Sequence, residues 1–340
     1  MLLSQNSQLI LRNKNIFKTK KVFFFGSIQD DYPLYLKTIS TIINLKKYSD
    51  YIILKKKKKI KNIEIKNSFL LSKEIIKDCN TVIYYWPKDK SEAKFQCMNL
   101  MSHVKIDTEI FIVGHNSSGV KSAFLILKKW IILNKIDNAK HCILYSGILK
   151  KRTTFILEDF YKIHVWKNLF IKSLPGVFGH KKIDEGSKLL ASTFISNSHY
   201  REVLDIGCGT GFLAVSILYC SPNAIVSLVD DNITALHCSR LTLHANNFTG
   251  EIIRSDLYSN ILKKFDLIIS NPPFHDDLKI TFKLIKNMIF HSRIYLKKSG
   301  ELRFVINRCF NYHFILKKYF KKYIILKQTN TFTVYQAFVN

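Results

Sequence analysis

The sequence predicts an α/β protein built as two tandem, doubly wound units with mostly parallel sheets, the first lacking a glycine loop that the second has. Three observations carry this. Between residues 202 and 306, apolar runs of strand length alternate with segments of helix length, the pattern of a parallel sheet with helices on both faces. The N-terminal half repeats that rhythm more weakly. Three glycines cluster after the first strand of the second half only.

In chain order, residues 22–25 (VFFF) predict a strand ending in Gly26, 81–85 (TVIYY) a strand ending in Trp86-Pro87, and 109–113 (EIFIV) a strand ending in Gly114. A structured connector holding Pro175, Gly176 and Gly179 follows at 173–180 (SLPGVFGH). The second half opens with a strand at 202–206 (EVLDI), then a glycine turn at 207–211 and a helix at 211–220. After Ser-Pro-Asn come a strand at 224–230, a helix at 232–246 and a short strand at 251–254. The strand 265–270 (FDLIIS) runs into Asn271-Pro-Pro-Phe274, a helix spans 278–296 and stops at Lys-Ser-Gly, and a strand covers 301–306. From first strand to corner is about 62 residues in the first half and about 67 in the second, as expected of a duplicated unit. Two unrelated α/β units sharing a rhythm would look alike at this level. The boundaries implied are 1–165 for the first unit, 166–198 for a connector contributing to the second, and 199–340 for the second.

Composition bounds the function. The 340 residues carry 53 Lys+Arg against 25 Asp+Glu, a net charge of +28, with 47% hydrophobic and 13% aromatic residues, which excludes a disordered chain. The charge favours a polyanionic partner. It is mostly lysine, however, and Lys, Ile, Asn, Phe and Tyr share A/T-rich codons, so part of the excess reflects base composition. The lysine run 55–59 reads either as a phosphate-backbone contact or as a solvated loop. Seven cysteines (79, 97, 142, 208, 220, 238, 309), never in a C-x-x-C pair, argue against disulfides and zinc and for a reducing compartment. No metal, no membrane span and a cytoplasmic location are expected. The uncharged stretch 206–229 contains Gly207, Gly209, Gly211 and Pro222, and reads as strand, turn, helix, turn, strand rather than as a span.

Two clusters carry chemistry. In Asp205-Ile-Gly207-Cys-Gly209-Thr-Gly211 a strand turns into a helix, and a chain passing beneath a ligand there needs positive φ and no side chains. Asp230, at the end of the next strand, suits the two hydroxyls of a ribose. The acid-x-G-x-G-x-G pattern resembles motif I of class I S-adenosylmethionine-dependent methyltransferases. Ser270-Asn271-Pro272-Pro273-Phe274 resembles the N/D-P-P-Y/F motif of methyltransferases acting on planar nitrogens. The Asn271 side-chain oxygen and the Pro272 carbonyl both suit an NH2 donor, and Phe274 offers a stacking face for a base. Such positioning would hold the nitrogen in line with a sulfonium methyl without a strong general base. Asp256, after the fourth strand, suits an adenine amino group or else caps a helix. His275 and Cys208 are expected to be structural.

The blocks 81–102, 174–178 (LPGVF), 207–211, 270–276 (SNPPFHD) and 331–338 (TFTVYQAF) together resemble the bacterial family of ribosomal RNA small-subunit methyltransferase C over nearly the whole chain. The resemblance implies two Rossmann-like methyltransferase domains from duplication, the N-terminal one without the cofactor motif and acting in support and RNA contact. It implies transfer of methyl from S-adenosyl-L-methionine to N2 of guanine 1207 in 16S rRNA, with the small ribosomal subunit as partner and a monomeric enzyme. Asn271, Pro272 and Phe274 are then catalytic, and Asp205, Gly207, Gly209, Gly211, Asp230 and Asp256 hold the cofactor. Rival readings are a methyltransferase of another planar nitrogen, such as a release-factor glutamine or DNA adenine, and a non-catalytic RNA-binding assembly factor.

Overall fold

A computed structural model of the protein describes residues 3–196, 200–273, 278–309 and 312–339, with backbone alone at 278–281. The chain divides into two compact units, Met1–Phe160 and Tyr161–Asn340.

The first unit holds β1 (Lys21–Gly26), β2 (Ser40–Asn44), β3 (Ile63–Lys66), β4 (Thr81–Tyr85), β5 (Glu109–His115), β6 (Asn134–Ala139) and β7 (Cys142–Ile148), with α1 (Gln5–Arg12), α2 (Tyr48–Lys57), α3 (Lys73–Ile76), α4 (Lys90–His103) and α5 (Ala123–Leu127). Its sheet runs β3-β2-β1-β4-β5-β7-β6. The second unit begins with a hairpin of β8 (Lys162–Trp166) and β9 (Leu169–Ser173). Next come α6 (Glu185–Ala191), β10 (Glu202–Ile206), α7 (Phe212–Cys220), β11 (Ile225–Asp230), α8 (Ile233–Ala245), β12 (Glu251–Arg254) and β13 (Phe265–Ser270). The chain closes with α9 (Leu278–Tyr295), β14 (Leu296–Asn307), α10 (His313–Tyr319), β15 (Lys322–Gln328) and β16 (Phe332–Phe338). The second sheet runs β12-β11-β10-β13-β14-β16-β15, so its order repeats the first strand for strand. In both sheets the first five strands are parallel and the last two pair antiparallel.

Residue types explain the layering. The β4 sequence TVIYY is buried along its whole length, as a central parallel strand covered on both faces must be. Residues 212–218 of α7 are all buried, and their apolar character on every side suits a helix enclosed between sheet and neighbours. Each sheet separates two apolar cores, centred in the second unit on Leu213 and Leu267 on one face and on Phe304 and Ile268 on the other. Strand order reverses between β10 and β13, and ligands of open α/β sheets bind at the carboxyl ends of the strands that flank such a point.

Two expectations need correction. The lysine run is not a loop throughout, because Lys55, Lys56 and Lys57 form the last turn of α2, where cations complement the helix dipole. Lys57 there pairs with Asp31 at 2.6 Å. The Lys-Ser-Gly stop after α9 lies inside β14. Pairing with β13 skips from Leu296 to Glu301, and the intervening residues form an irregularity with Ser299 at φ 61°. The uncharged stretch 206–229 is occupied by β10, α7 and β11, and no described helix is long and apolar enough to cross a membrane.

Candidate active site

The glycine turn leaves β10 at the switch point. Gly207 N and Cys208 N both donate to Val229 O, at 2.8 and 3.0 Å, which ties the turn to the end of β11. Gly207 has φ +70°, and a Cβ on it would meet nothing within 4 Å, so this side of the backbone faces open space. Gly211, at φ +78°, is glycine for another reason. A Cβ there would stand 3.0 Å from Ser239 Cα, so its absence lets α7 start against α8. Gly209 donates its N–H to Asp230 Oδ2 at 2.9 Å, and its carbonyl accepts from Ser239 Oγ at 3.0 Å.

Asp230 is thereby part of the turn as well as its neighbour. Its Oδ1 accepts from Asn232 N at 2.8 Å. Burial pushes its carboxyl up to about 6 against the pull of these backbone N–H groups. Asp205 is 1% exposed, and neither of its carboxylate oxygens has a hydrogen-bond partner among the described residues. Burial first, and then the Asp230 charge, raise its carboxyl to about 8, with the Ala214 backbone N–H acting the other way. A buried carboxyl so poorly paired is costly, which favours a cationic or N–H donor beside it. Cys208 is buried against Ser239 Oγ at 3.2 Å, and burial raises its thiol well above the ordinary value, so it is no thiolate nucleophile.

Asn271 begins the corner after β13, which Ser270 fastens to β10 by donating its Oγ–H to Ile206 O at 2.8 Å. Its Nδ2 donates to Asp184 Oδ2 at 2.8 Å and to Ser187 Oγ at 2.6 Å. Its Oδ1 is buried without a partner among the described residues. Pro272 is buried beside it, while Phe274 and His275 lie outside the described residues.

One cleft, open to solvent, is lined by Gly207 and Gly209 of the turn, Asn271 of the corner, and Phe178, Asp184 and Ser187 of the preceding segment. The turn and the corner are thus brought together, with Asp230 bracing the turn through Gly209 N and Asp205 buried at its start. Asp256 does not line this cleft. It stands exposed in a turn beyond β12, where Ser259 N donates to Asp256 O at 3.0 Å and no helix begins for it to cap. No group of His, Cys, Asp or Glu is arranged to hold a metal ion among the described residues.

Comparison with known proteins follows the same division. Residues 168–336 match the methyltransferase small domain, and 7–164 match its N-terminal companion domain. A relative from Buchnera aphidicola subsp. Acyrthosiphon pisum named ribosomal RNA small subunit methyltransferase C is 64% identical over 338 residues, 99% of each chain. The protein of that name from Escherichia coli K12 is 38% identical over 97% of this chain and 95% of its own. The chain belongs to the ribosomal RNA small subunit methyltransferase C family. The two-unit fold of that family is seen in a solved structure, the Thermus thermophilus 16S rRNA N2 G1207 methyltransferase in complex with AdoMet and guanosine. It superposes with a TM-score of 0.82 over 99% of this chain and 92% of that one, at 16% identity.

Sequence reasoning overlooked Asp184, Ser187 and Ser239. Asp184 caps α6 by accepting from Ser187 N at 2.8 Å, a role that the D-x-x-S spacing before an apolar run signals. Its contact with Asn271 spans 87 residues of sequence and has no local signal. Ser239 is marked only by being a small residue on the α8 face that Gly211 approaches.

Proposed function

We propose that this protein transfers a methyl group from S-adenosylmethionine to the exocyclic N2 of guanine 1207 of 16S rRNA in the small ribosomal subunit. The observation that carries the reading is Asn271, whose buried Oδ1 has no partner among the described residues while the residue lines the same cleft as Gly207 and Gly209. Membership of the methyltransferase C family supports the same substrate.

The residues present fit the cofactor. The open side of Gly207 leaves room for it, Asp230 at the end of β11 suits its ribose hydroxyls, and the unpartnered carboxyl of Asp205 suits its ammonium group. When bound, S-adenosylmethionine would supply an electrophilic methyl, the N–C bond forming as the S–C bond breaks, with S-adenosylhomocysteine leaving as a neutral thioether and the extra proton of N2 passing to solvent. The rest is positioning by the chain. Guanine N2 is a poor nucleophile because its lone pair is delocalised into the ring. An acceptor oxygen on Asn271, joined by the Pro272 carbonyl, takes hydrogen bonds from N2–H and favours its pyramidalisation. Phe274 gives the splayed base a stacking face. The first unit serves as support and RNA contact. Asp256, exposed in the turn beyond β12, suits the adenine amino group. The enzyme acts as a monomer.

The test is transfer of labelled methyl to small subunits that lack the modification, followed by mapping of the methylated nucleotide. Label is expected at one guanine N2, and Asn271→Ala is expected to abolish it while cofactor still binds. Label on DNA or on a release factor, with none on rRNA, would overturn the assignment.

A further inference from the structure

The inference drawn here rests on that reading and deepens it. An asparagine amide has a donor end and an acceptor end of almost the same shape, so a catalytic asparagine must be held the right way round. Asp184 and Ser187 do this for Asn271. The Asn271 Nδ2 has two hydrogens and two oxygens before it, Asp184 Oδ2 at 2.8 Å and Ser187 Oγ at 2.6 Å. A carboxylate offers only lone pairs, so the reversed amide would set Oδ1 against an acceptor that cannot donate. Asp184 is itself fixed, because the same Oδ2 accepts from Ser187 N at 2.8 Å as the cap of α6. With the Nδ2 end spent, Oδ1 is left over, buried and unpartnered among the described residues. All three residues line one cleft.

We propose that Asp184 and Ser187 are positioning residues that lock the Asn271 amide so that its oxygen, and never its nitrogen, meets the target base. The lock sets selectivity as well as rate. Guanine carries a donor at N2 and an acceptor at O6. A fixed acceptor pairs with the first and repels the second, so the base enters only with its amine toward the methyl donor.

The experiment exchanges the two partners in the full-length protein. Asp184→Asn keeps a residue able to cap α6 but lets the Asn271 amide turn over. It is expected to lower kcat on unmodified small subunits about a hundredfold, with S-adenosylmethionine affinity little changed. Asn271→Asp alone opposes two carboxylates and is expected to be at least as damaging. The double variant Asn271→Asp/Asp184→Asn restores one donor facing one carboxylate, leaves an oxygen toward the base, and is expected to regain about tenfold over Asn271→Asp. Ser187→Ala, which leaves the cap side chain in place, is expected to cost about tenfold in kcat. Wild-type kcat in Asp184→Asn, or a double variant no better than Asn271→Asp, overturns the proposal. A readout without substrate separates it from the wider reading. The Asn271 side-chain NH2 resonance, identified by its loss in Asn271→Asp, is expected to exchange with solvent about tenfold faster in Asp184→Asn. Unchanged exchange overturns the lock even if rRNA is methylated, and faster exchange supports it even if another substrate is found.

Discussion

The two units share one strand order, and the difference that bears on chemistry lies at the carboxyl ends of their two central strands. In the second unit Asp205 of β10 lies opposite Ile269 of β13, and the corner two residues on is Asn271. In the first unit the corresponding register sets Phe25 of β1 opposite Tyr84 of β4, and the corner two residues on is Trp86. Phe25 and Tyr84 rings stand 5.5 Å apart, and Tyr84 and Trp86 meet edge to face at 5.8 Å. Tyr84 and Trp86 are 0% and 2% exposed, and Tyr84 donates its hydroxyl to Gln96 Oε1 at 2.8 Å. At this corner one unit keeps a cleft lined by Gly207, Gly209 and Asn271, whereas the other has filled the space with three aromatic side chains, with Trp86 Nε1 buried and without a partner among the described residues. The same topology therefore supports either a reactive corner or a packed one. The choice lies in a few side chains, at a cost in stability on the reactive side.

Grafting the packed corner onto the open one gives the largest expected effect. Asn271→Trp is expected to lower methyl transfer into small subunits by about a thousandfold or more, and Trp86→Asn in the same chain is expected to restore none of it. Retention of a tenth of the wild-type rate would show that the corner is not the reacting centre.

The buried carboxyl sharpens the comparison through pH. Asp205 holds its proton up to about 8 in the folded chain and releases it near the ordinary carboxylate value when unfolded. The native state therefore binds the extra proton across this window. The contribution is full below about pH 4 and is lost as pH rises toward 8. Asp205→Asn removes that loss. In urea titrations of the ligand-free protein, its stability relative to wild type is expected to grow by a few kcal/mol between pH 5 and 8. Its S-adenosylmethionine affinity falls at the same time. A pH-independent difference between the two proteins would mean that Asp205 is already paired.

The smallest effect is expected at the glycine turn. Gly207→Ala places a side chain at φ +70° and into the open space above the turn, and is expected to raise the S-adenosylmethionine Kd about tenfold with little change in kcat. Calorimetric titration measures it, and an unchanged Kd would place the cofactor away from this turn.

Much of this fold was legible because its signals are local. The strands of the second unit are apolar runs closed by Gly, Pro or Asn, and the glycine turn announces itself by residue type. β2, β3 and the β8–β9 hairpin were not legible. STIIN, IEIK, KIHVW and LFIKS are only four or five residues long and mix polar with apolar residues, three of them including a lysine, so no period rises above the lysine- and isoleucine-rich background. The lysine run looked like a loop because charge hides the helix that begins at Tyr48 and buries Leu54. At the site, Asn271 and the glycines were legible by chemistry, whereas the partners that orient them come from α6 and α8 and are joined only by folding.

The sheet edges assign some of the excess charge to a task unrelated to any ligand. Each outermost strand carries ionic side chains: Glu64 and Lys66 on β3, Lys135 and Asp137 on β6, Glu251 and Arg254 on β12, Lys322 and Lys327 on β15. On β15 they bracket Ile324 and Ile325, which are half exposed and would otherwise invite a further strand to add. On β15 both ionic groups are lysines, so that edge repels its own kind, whereas the other three edges each carry one acid and one base and discourage strand addition through the cost of desolvating them. The surplus lysine does this wherever it falls on an outer strand, whatever force of base composition put it there.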